Sequence, residues 1–291
     1  MGKNTMNDTK RLIDVALGRA AADLAVVNAR LVNVYTGEIL DNQSVCTSGA
    51  RIACVGPDVH HAIGEDTRVV DADGATLIPG LIDGHTHMAW LFTAGEFLKY
   101  AARGGTTTIV TETLEVYPVA GVEGVLDFMA SFKDQPIKIF GTAPPMVSIS
   151  RAANGIDADD LEQLIQQSDI IGLGESYWQS VLQHQDLYLP IFEKTLAHGK
   201  TLEGHSAGAR SNKLQAYAAC GISSCHEPIK AEEVLERLRL GLYVMIREGS
   251  IRRDLAQIAA IRDMGVDTRR LILTTDGVTP VDLMEMGYME Y

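Results

Sequence analysis

The chain has 291 residues, of which 46% are hydrophobic and 22% are charged, so it can bury one large core and a small accessory core. Its formal net charge of −13 argues against a nucleic-acid partner, because binding a phosphate backbone requires a basic surface. A small neutral or polar substrate is compatible with this charge.

The first twenty residues mix charged and apolar types throughout, and no apolar run in the sequence reaches the length of a membrane span. We therefore expect a cytoplasmic protein without a membrane partner. The four cysteines, Cys46, Cys54, Cys220 and Cys225, match neither a disulfide framework nor a CxxC metal site. Reduced thiols are expected in that compartment.

Residues 1–77 are predicted to form a helix and a small β-domain. Residues 8–20 have the periodicity of a short amphipathic helix, and residues 24–77 contain short strands separated by turn residues such as Thr36 and Gly37. Further strands would allow this domain to bury more apolar surface, so we expect an incomplete composite β-sandwich.

Residues 78–291 alternate apolar strands with amphipathic helices, the pattern of a parallel α/β sheet. The eight strand segments are TLIPGLIDGH near 76, TTTIVTE near 106, IKIFGTAP near 137, DIIGLGE near 169, KTLEGHS near 200, GISSCHE near 221, GLYVMIREG near 241 and RLILTTDG near 270. Eight such units predict a (β/α)8 barrel of the TIM type, whose chemistry collects at the carboxyl ends of the strands. Because the chain stops soon after the eighth strand, we expect a truncated or fragmentary form.

The first predicted barrel strand ends in PGLIDGHTH, which contains His85 and His87. Alternate residues of a strand lie on the same side, so both imidazoles would face the barrel mouth and offer two nitrogen ligands to one metal ion. Alone this spacing is a weak signal, because an HxH pair also arises by chance on a surface.

Four later strands also end in side chains that can bind a metal: Glu175, His205, His226 and Asp276. With the two histidines of the first strand, they would converge from strands one, four, five, six and eight. A random placement of these residue types would seldom produce such convergence, so the sequence predicts a divalent metal site at the barrel mouth.

This set resembles the amidohydrolase superfamily, in which a strand-one HxH, a strand-four Lys or Glu, two later histidines and a strand-eight Asp build the metal centre. A glutamate at position 175, together with VNVYTGE, CHEP at 225–228 and IREGS at 246–250, most resembles the adenine deaminases of that superfamily. The resemblance extends from the β-domain to the eighth strand.

The resemblance implies a binuclear centre in which Glu175 bridges two ions. One ion would be held by His85, His87 and Asp276, and the other by the two later histidines. A carboxylate can give one oxygen to each ion, and two cations acidify a bridging water. The resemblance favours Mn or Fe, and the mixed nitrogen and oxygen ligands also accommodate Zn.

The implied reaction is the hydrolytic deamination of adenine or a related amino-heterocycle, in which a metal-activated hydroxide attacks the carbon that bears the amine and ammonia leaves. Asp276 and Glu175 are the catalytic candidates. Asp276 would accept the proton of the water and pass it to the leaving nitrogen.

The loops after these ligands depart from the adenine deaminase pattern, with MAW after the first-strand histidines, SYW after the glutamate and GVTP after the aspartate. Trp90, Tyr177 and Trp178 could stack on a flat heterocycle or could serve packing alone. A hydrolase of cyclic amides, enamides or imides, which uses the same metal chemistry, is therefore the first alternative function.

Three charged residues near strand ends are further candidates for substrate contact. Arg247 and Glu248 end strand seven, where a structural ion pair at the barrel rim is the alternative. Glu112 ends strand two and could instead cap the following turn.

Two readings compete with the deaminase. GHSAG at 204–208 matches the GxSxG pattern of serine esterases, but that triad needs an Asp and then a His after Ser206, whereas His226 precedes Asp276. A metal-binding barrel that is inactive or truncated is the other reading. In each case the incomplete β-domain and exposed barrel helices favour a homo-oligomer, most simply a dimer.

Overall fold

The computed structural model describes residues 6–89, 93–146 and 155–291. The chain divides into two compact units, Met1–Pro79 and Gly80–Tyr291. Within the described ranges, no helix combines the length and the apolar composition that crossing a membrane would require.

The first unit consists of one amphipathic helix and a five-stranded sheet. Its elements are α1 (Met6–Ala16), β1 (Leu24–Asn33), β2 (Glu38–Ser48), β3 (Arg51–Gly56), a 3-10 turn (His60–Ala62), β4 (Arg68–Asp71) and β5 (Thr76–Leu77). The strand order is β3-β2-β1-β4, and β5 also pairs with β1. A small core that includes Val15 of α1, Ala25 of β1 and Cys46 of β2 holds the helix on the sheet.

The second unit contains eight parallel strands that neighbour one another in chain order. They are β6 (Leu81–Thr86), β7 (Thr106–Thr111), β8 (Lys138–Ala143), β9 (Ile170–Tyr177), β10 (Thr201–His205), β11 (Ser224–Cys225), β12 (Tyr243–Arg247) and β13 (Leu271–Thr274). Each strand falls within its predicted segment or extends only one or two residues beyond it. The predicted (β/α)8 barrel is confirmed.

Helices lie in the connections between these strands and, for α10, after the last strand. They are α2 (Ala94–Arg103), α3 (Tyr117–Ala130), α4 (Ala158–Ile165), α5 (Trp178–Gln183), α6 (Gln185–Ala197), α7 (Ser211–Ala219), α8 (Ala231–Arg239), α9 (Leu255–Ile258), a 3-10 helix (Ala259–Met264) and α10 (Pro280–Glu285). Helix α4 shows the local logic: Asp157 caps its first turn, and Leu161, Leu164 and Ile165 are fully buried in the barrel core.

Asp83 joins the first and last strands of the barrel. Its buried carboxylate accepts hydrogen bonds from Thr274 Oγ1 at 2.7 Å, from Thr275 Oγ1 at 2.6 Å and from Tyr288 Oη at 2.5 Å. Burial raises the pKa of Asp83, and these hydrogen bonds oppose that shift. The close approach of β6 to β13 also depends on Gly84, because a Cβ at this position would lie 2.6 Å from Ile272 Cγ2.

Replacing Tyr288 with Phe should lower the free energy of unfolding by about 1–3 kcal/mol, because the buried carboxylate of Asp83 loses one of its donors. Urea denaturation followed by circular dichroism measures this change. Tyr291→Phe removes the same hydroxyl from a side chain that is 63% exposed and serves as the control. Equal effects of the two substitutions would contradict a stabilising role for the hydrogen bond between Tyr288 and Asp83.

Candidate active site

Six side chains that can bind metals meet at the carboxyl ends of the barrel strands. They are His85, His87, Glu175, His205, His226 and Asp276. Four of them, His85, Glu175, His226 and Asp276, each offer a ligand atom within 4.8 Å of the others, and all four are buried. The barrel thus gathers residues that are up to 191 positions apart, between positions 85 and 276, into one cluster.

Glu175 lies at the middle of this cluster. Its Oε1 atom is 3.4 Å from His85 Nε2, 3.5 Å from His87 Nε2 and 3.3 Å from His226 Nε2. Its Oε2 atom is 3.2 Å from His205 Nδ1. Burial raises the pKa of Glu175, but the histidines that face its carboxylate, first His205 and His226, outweigh burial and hold the pKa well below its usual range.

Asp276 faces the two histidines of the first barrel strand. Its Oδ1 atom is 3.2 Å from His85 Nε2 and 3.4 Å from His87 Nε2, and its backbone amide donates to the His85 carbonyl at 3.2 Å. The residue has φ +54°, a left-handed conformation that a non-glycine residue adopts at an energetic cost. The surrounding hydrogen bonds therefore hold this carboxylate in a conformation that aims it at the cluster.

Two carboxylates that the sequence analysis did not select lie behind the histidines. Glu203 Oε1 is 2.8 Å from His85 Nδ1 and 3.2 Å from His226 Nδ1. Glu115 Oε1 is 2.6 Å from His87 Nδ1. Each of these three rings therefore turns Nδ1 toward a carboxylate and Nε2 toward the cluster, as metal-ligating histidines commonly do.

The strand pattern contained a signal for one of the missed carboxylates. Glu203 precedes His205 by two residues in β10, so both side chains lie on the same side of that strand. No comparable spacing points to Glu115. Glu227, a third missed carboxylate, lies next to His226 in the chain, and its Oε1 atom is 3.2 Å from that histidine's Nε2.

Arg247 lies inside the protein, where it pairs with carboxylates. Its Nη1 atom donates to Glu227 Oε1 at 2.8 Å and to Asp276 Oδ2 at 3.2 Å, and its Nε atom donates to Asp254 Oδ2 at 3.1 Å. Burial lowers the pKa of Arg247, but the three carboxylates outweigh burial and raise it. Arg247 thus forms structural ion pairs, the alternative to substrate contact, but these pairs are buried and do not lie at the barrel rim. Glu248 instead accepts a hydrogen bond from the Leu255 amide at 3.1 Å.

Glu112 is fully buried beneath the histidines. Its Oε1 atom is 3.6 Å from His85 Nδ1, and both of its oxygens lack a hydrogen-bond partner among the described residues, so it does not cap the following turn. A Cβ at position 174 would lie 2.2 Å from Glu112 Oε2, so Gly174 leaves the room that this side chain occupies. Burial raises the pKa of Glu112 to about 8, against the lowering effect of His85.

The aromatic candidates have different surroundings. Tyr177 places its ring centroid 4.4 Å from that of His205, and both residues line a cavity of about 380 Å³. Trp178 donates its indole N–H to the Ala207 carbonyl at 2.7 Å, which anchors that ring to the loop after β10. Trp90 lies outside the described residues.

Ser206, the serine of the GHSAG motif, is fully buried. Its hydroxyl accepts hydrogen bonds from Arg237 Nε at 3.0 Å and Nη2 at 2.9 Å, and it lies 2.7 Å from Cys225 Sγ. A serine nucleophile must be exposed to its substrate and hydrogen-bonded to a base. The surroundings of Ser206 therefore do not fit the esterase reading.

The donor set fits a divalent metal. His85 Nε2, His205 Nδ1 and His226 Nε2 are buried and lack a hydrogen-bond partner among the described residues, although all three face Glu175. Burial lowers the pKa of His87, but Asp276, Glu115 and Glu175 outweigh burial and raise it to about 11. The cluster thus attracts positive charge, which a metal ion bound to these nitrogens and carboxylates supplies.

Comparison with known proteins identifies relatives of this sequence, although no family model matches it. Adenine deaminase of Cenarchaeum symbiosum is 38% identical over 288 residues, which cover 97% of this chain and 47% of that protein. Adenine deaminase of Moorella thermoacetica is 37% identical over 291 residues, 97% of this chain and 48% of that protein. The chain spans about half the length of the curated relatives it matches.

Solved structures share the fold. A crystal structure of an adenine deaminase aligns with a TM-score of 0.64 at 15% identity, covering 90% of this chain and 75% of that chain. N-acetylglucosamine-6-phosphate deacetylase from Pasteurella multocida aligns with a TM-score of 0.62 at 17% identity, covering 88% and 72%. The chain is therefore a homologue of one half of these adenine deaminases, and it shares the barrel fold of a solved adenine deaminase.

Proposed function

We propose that this chain is the barrel of a metal-dependent deaminase that hydrolyses the exocyclic amine of adenine or a related amino-heterocycle and releases ammonia. Such an enzyme is an amidohydrolase that acts on carbon–nitrogen bonds other than peptide bonds. The observation that carries the proposal is the buried His/Glu/Asp cluster at the carboxyl ends of the barrel strands, in a homologue of adenine deaminases.

The proposed centre holds two divalent ions. His85, His87 and Asp276 would bind one ion, and the two later histidines would bind the other. Glu175 would bridge them, which is supported by the histidine nitrogens that face each of its oxygens. Mn or Fe is favoured and Zn is compatible with the same donors. When bound, the metal lowers the pKa of a coordinated water and polarises the substrate.

Asp276 is the proposed proton carrier. Its Oδ1 atom faces the cluster, and Arg247 donates to its Oδ2 atom at 3.2 Å. An ionised carboxylate held in this way can accept a proton from the attacking water at Oδ1 and pass it to the leaving nitrogen. Arg247 positions the carboxylate and helps keep it ionised, because it places a permanent positive charge beside Oδ2.

The proposed substrate cleft is the cavity of about 380 Å³ beside His205. Tyr177 forms one wall, and Gln179 and Gln183 contribute amide groups that both donate and accept hydrogen bonds. A flat, neutral heterocycle with ring nitrogens and an amine matches this lining. We also propose that the protein acts as a homodimer in the cytoplasm.

The proposed activity can be tested by metal analysis of the purified protein and by an ammonia-release assay on adenine, with and without added Mn. We expect about two metal ions per chain and ammonia release that a chelator abolishes. Metal binding without adenine turnover would redirect the search to cyclic amides, enamides or imides. A chain that binds no metal after reconstitution would contradict the proposal.

Asp276→Asn should lower the rate constant for ammonia release by about 10²–10⁴-fold, because the amide cannot accept and return the proton. The assay is normalised to metal content, since Asp276 is also a proposed ligand. Asp267→Asn, at an exposed aspartate paired with Arg269, is the control and should keep the activity. Full activity per bound metal in the Asp276 variant would exclude the assigned proton transfer.

Arg247→Met should destabilise the protein by about 3–5 kcal/mol, because Glu227, Asp254 and Asp276 would stay buried without their common cation. The free energy of unfolding in urea gives this value. The matched control is Arg269→Met, whose side chain is 87% exposed and whose solvent-screened ion pair should contribute little to stability. Similar losses in both variants would argue that the buried ion pairs of Arg247 are unimportant.

A further inference from the structure

Glu203 contacts two histidines that belong to different ions of the proposed centre. Its Oε1 atom is 2.8 Å from His85 Nδ1 and 3.2 Å from His226 Nδ1. The two imidazoles are stacked, with ring centroids 4.1 Å apart and an interplanar angle of 17°. One oxygen therefore lies at the Nδ1 edges of both rings.

The opposite edges of the same two rings face the centre. His85 Nε2 and His226 Nε2 lie 3.4 Å and 3.3 Å from the same oxygen, Oε1 of Glu175. A neutral imidazole has one N–H and one lone pair, and an ionised carboxylate can only accept a hydrogen bond. With Nδ1 facing Glu203, the proton belongs on Nδ1 and the lone pair on Nε2, where a metal ion can use it.

We propose that Glu203 is a positioning residue that fixes the tautomer of both His85 and His226, and so tunes the affinity of both metal ions through one carboxylate. This inference rests on the metal centre proposed above, but not on its substrate. Glu203 is 4% exposed and belongs to β10, so the barrel strand itself sets the position of this shared acceptor. Its two partners are proposed metal ligands, so in this role it would act on the ions through those histidines.

Two other carboxylates provide matched comparisons. Glu115 contacts a single ring, since its Oε1 atom lies 2.6 Å from His87 Nδ1. Glu112 is as deeply buried as Glu203, but its nearest ring nitrogen is His85 Nδ1 at 3.6 Å and its oxygens have no hydrogen-bond partner among the described residues. Glu112→Gln therefore changes a neighbouring carboxylate without removing a ring acceptor.

The test is a titration of the metal-free chain with Zn²⁺ against a chromophoric chelator, for the unsubstituted protein and for Glu203→Gln, Glu115→Gln and Glu112→Gln. We expect Glu203→Gln to lower the affinity for both Zn²⁺ ions by about 10–100-fold. The carboxylate accepts from both rings, whereas the amide can turn its N–H group toward one of them. Glu115→Gln should lower the affinity for one Zn²⁺ ion by a similar factor. Glu112→Gln should leave both affinities near the starting values.

Nitrogen-15 NMR of the Zn-loaded protein labelled in histidine gives a readout that does not depend on turnover. In the unsubstituted chain, His85 and His226 should both carry their proton on Nδ1, and Glu203→Gln should remove that signature from at least one of them. Glu203→Asp keeps the acceptor and should keep the signature, which provides a second variant if Glu203→Gln does not fold.

Unchanged affinities and tautomers in Glu203→Gln would overturn the inference. Equal losses of metal affinity in Glu203→Gln and Glu112→Gln would also overturn it, because they would show that changing any buried carboxyl group beside His85 has the same effect. If the protein binds zinc with the expected tautomers but does not deaminate adenine, adenine is excluded as the substrate and the positioning role of Glu203 still holds.

Discussion

The geometry of the candidate site depends on the hydrogen bonds that close the barrel at Asp83. This carboxylate lies in β6, two residues before His85, and its threonine donors, Thr274 and Thr275, directly precede Asp276. The first and last strands must therefore meet in one register. The proposed first ion takes ligands from both strands. A shift in register between β6 and β13 would therefore separate His85 and His87 from Asp276. The hydrogen bonds that join β6 to β13 therefore also align the candidate ligands of these two strands.

Charge balance is the second constraint on the site. Glu175, Glu203, Glu227 and Asp276 are buried or nearly so, and burying an ionised carboxylate is costly unless a cation or a set of donors compensates. Arg247 compensates on one side of the cluster only. The remaining negative charge draws protons onto the histidines, and it equally favours a divalent ion in their place. The carboxylates are thus arranged for a cation that the protein chain does not itself provide.

The barrel and the candidate ligands could be predicted from sequence because both follow local rules. Strand and helix periodicity marks the eight units, and a polar residue at the end of a barrel strand points to the mouth. Of the carboxylates behind the histidines, Glu203 obeys the strand alternation, because it precedes His205 by two residues in β10, but Glu115 obeys no such rule. Glu115 meets His87 only because β6 and β7 are neighbours and the loop after β7 turns back over the ring. The buried position of Arg247 similarly depends on loops after three different strands, whose packing the sequence pattern does not encode.

The GHSAG segment shows how the fold determines what a motif does. Ser206 directly follows His205, and Cys225, which lies 2.7 Å from its hydroxyl, directly precedes His226. Arg237 of α8 donates to both the hydroxyl and the carbonyl of this serine, at distances from 2.8 to 3.0 Å. A serine that would be a nucleophile in an esterase therefore ties together the ends of β10 and β11. Because those ends carry the two histidines proposed for the second ion, the buried Ser206–Cys225 contact stabilises the spacing between these ligands, as the hydrogen bonds of Asp83 do between β6 and β13.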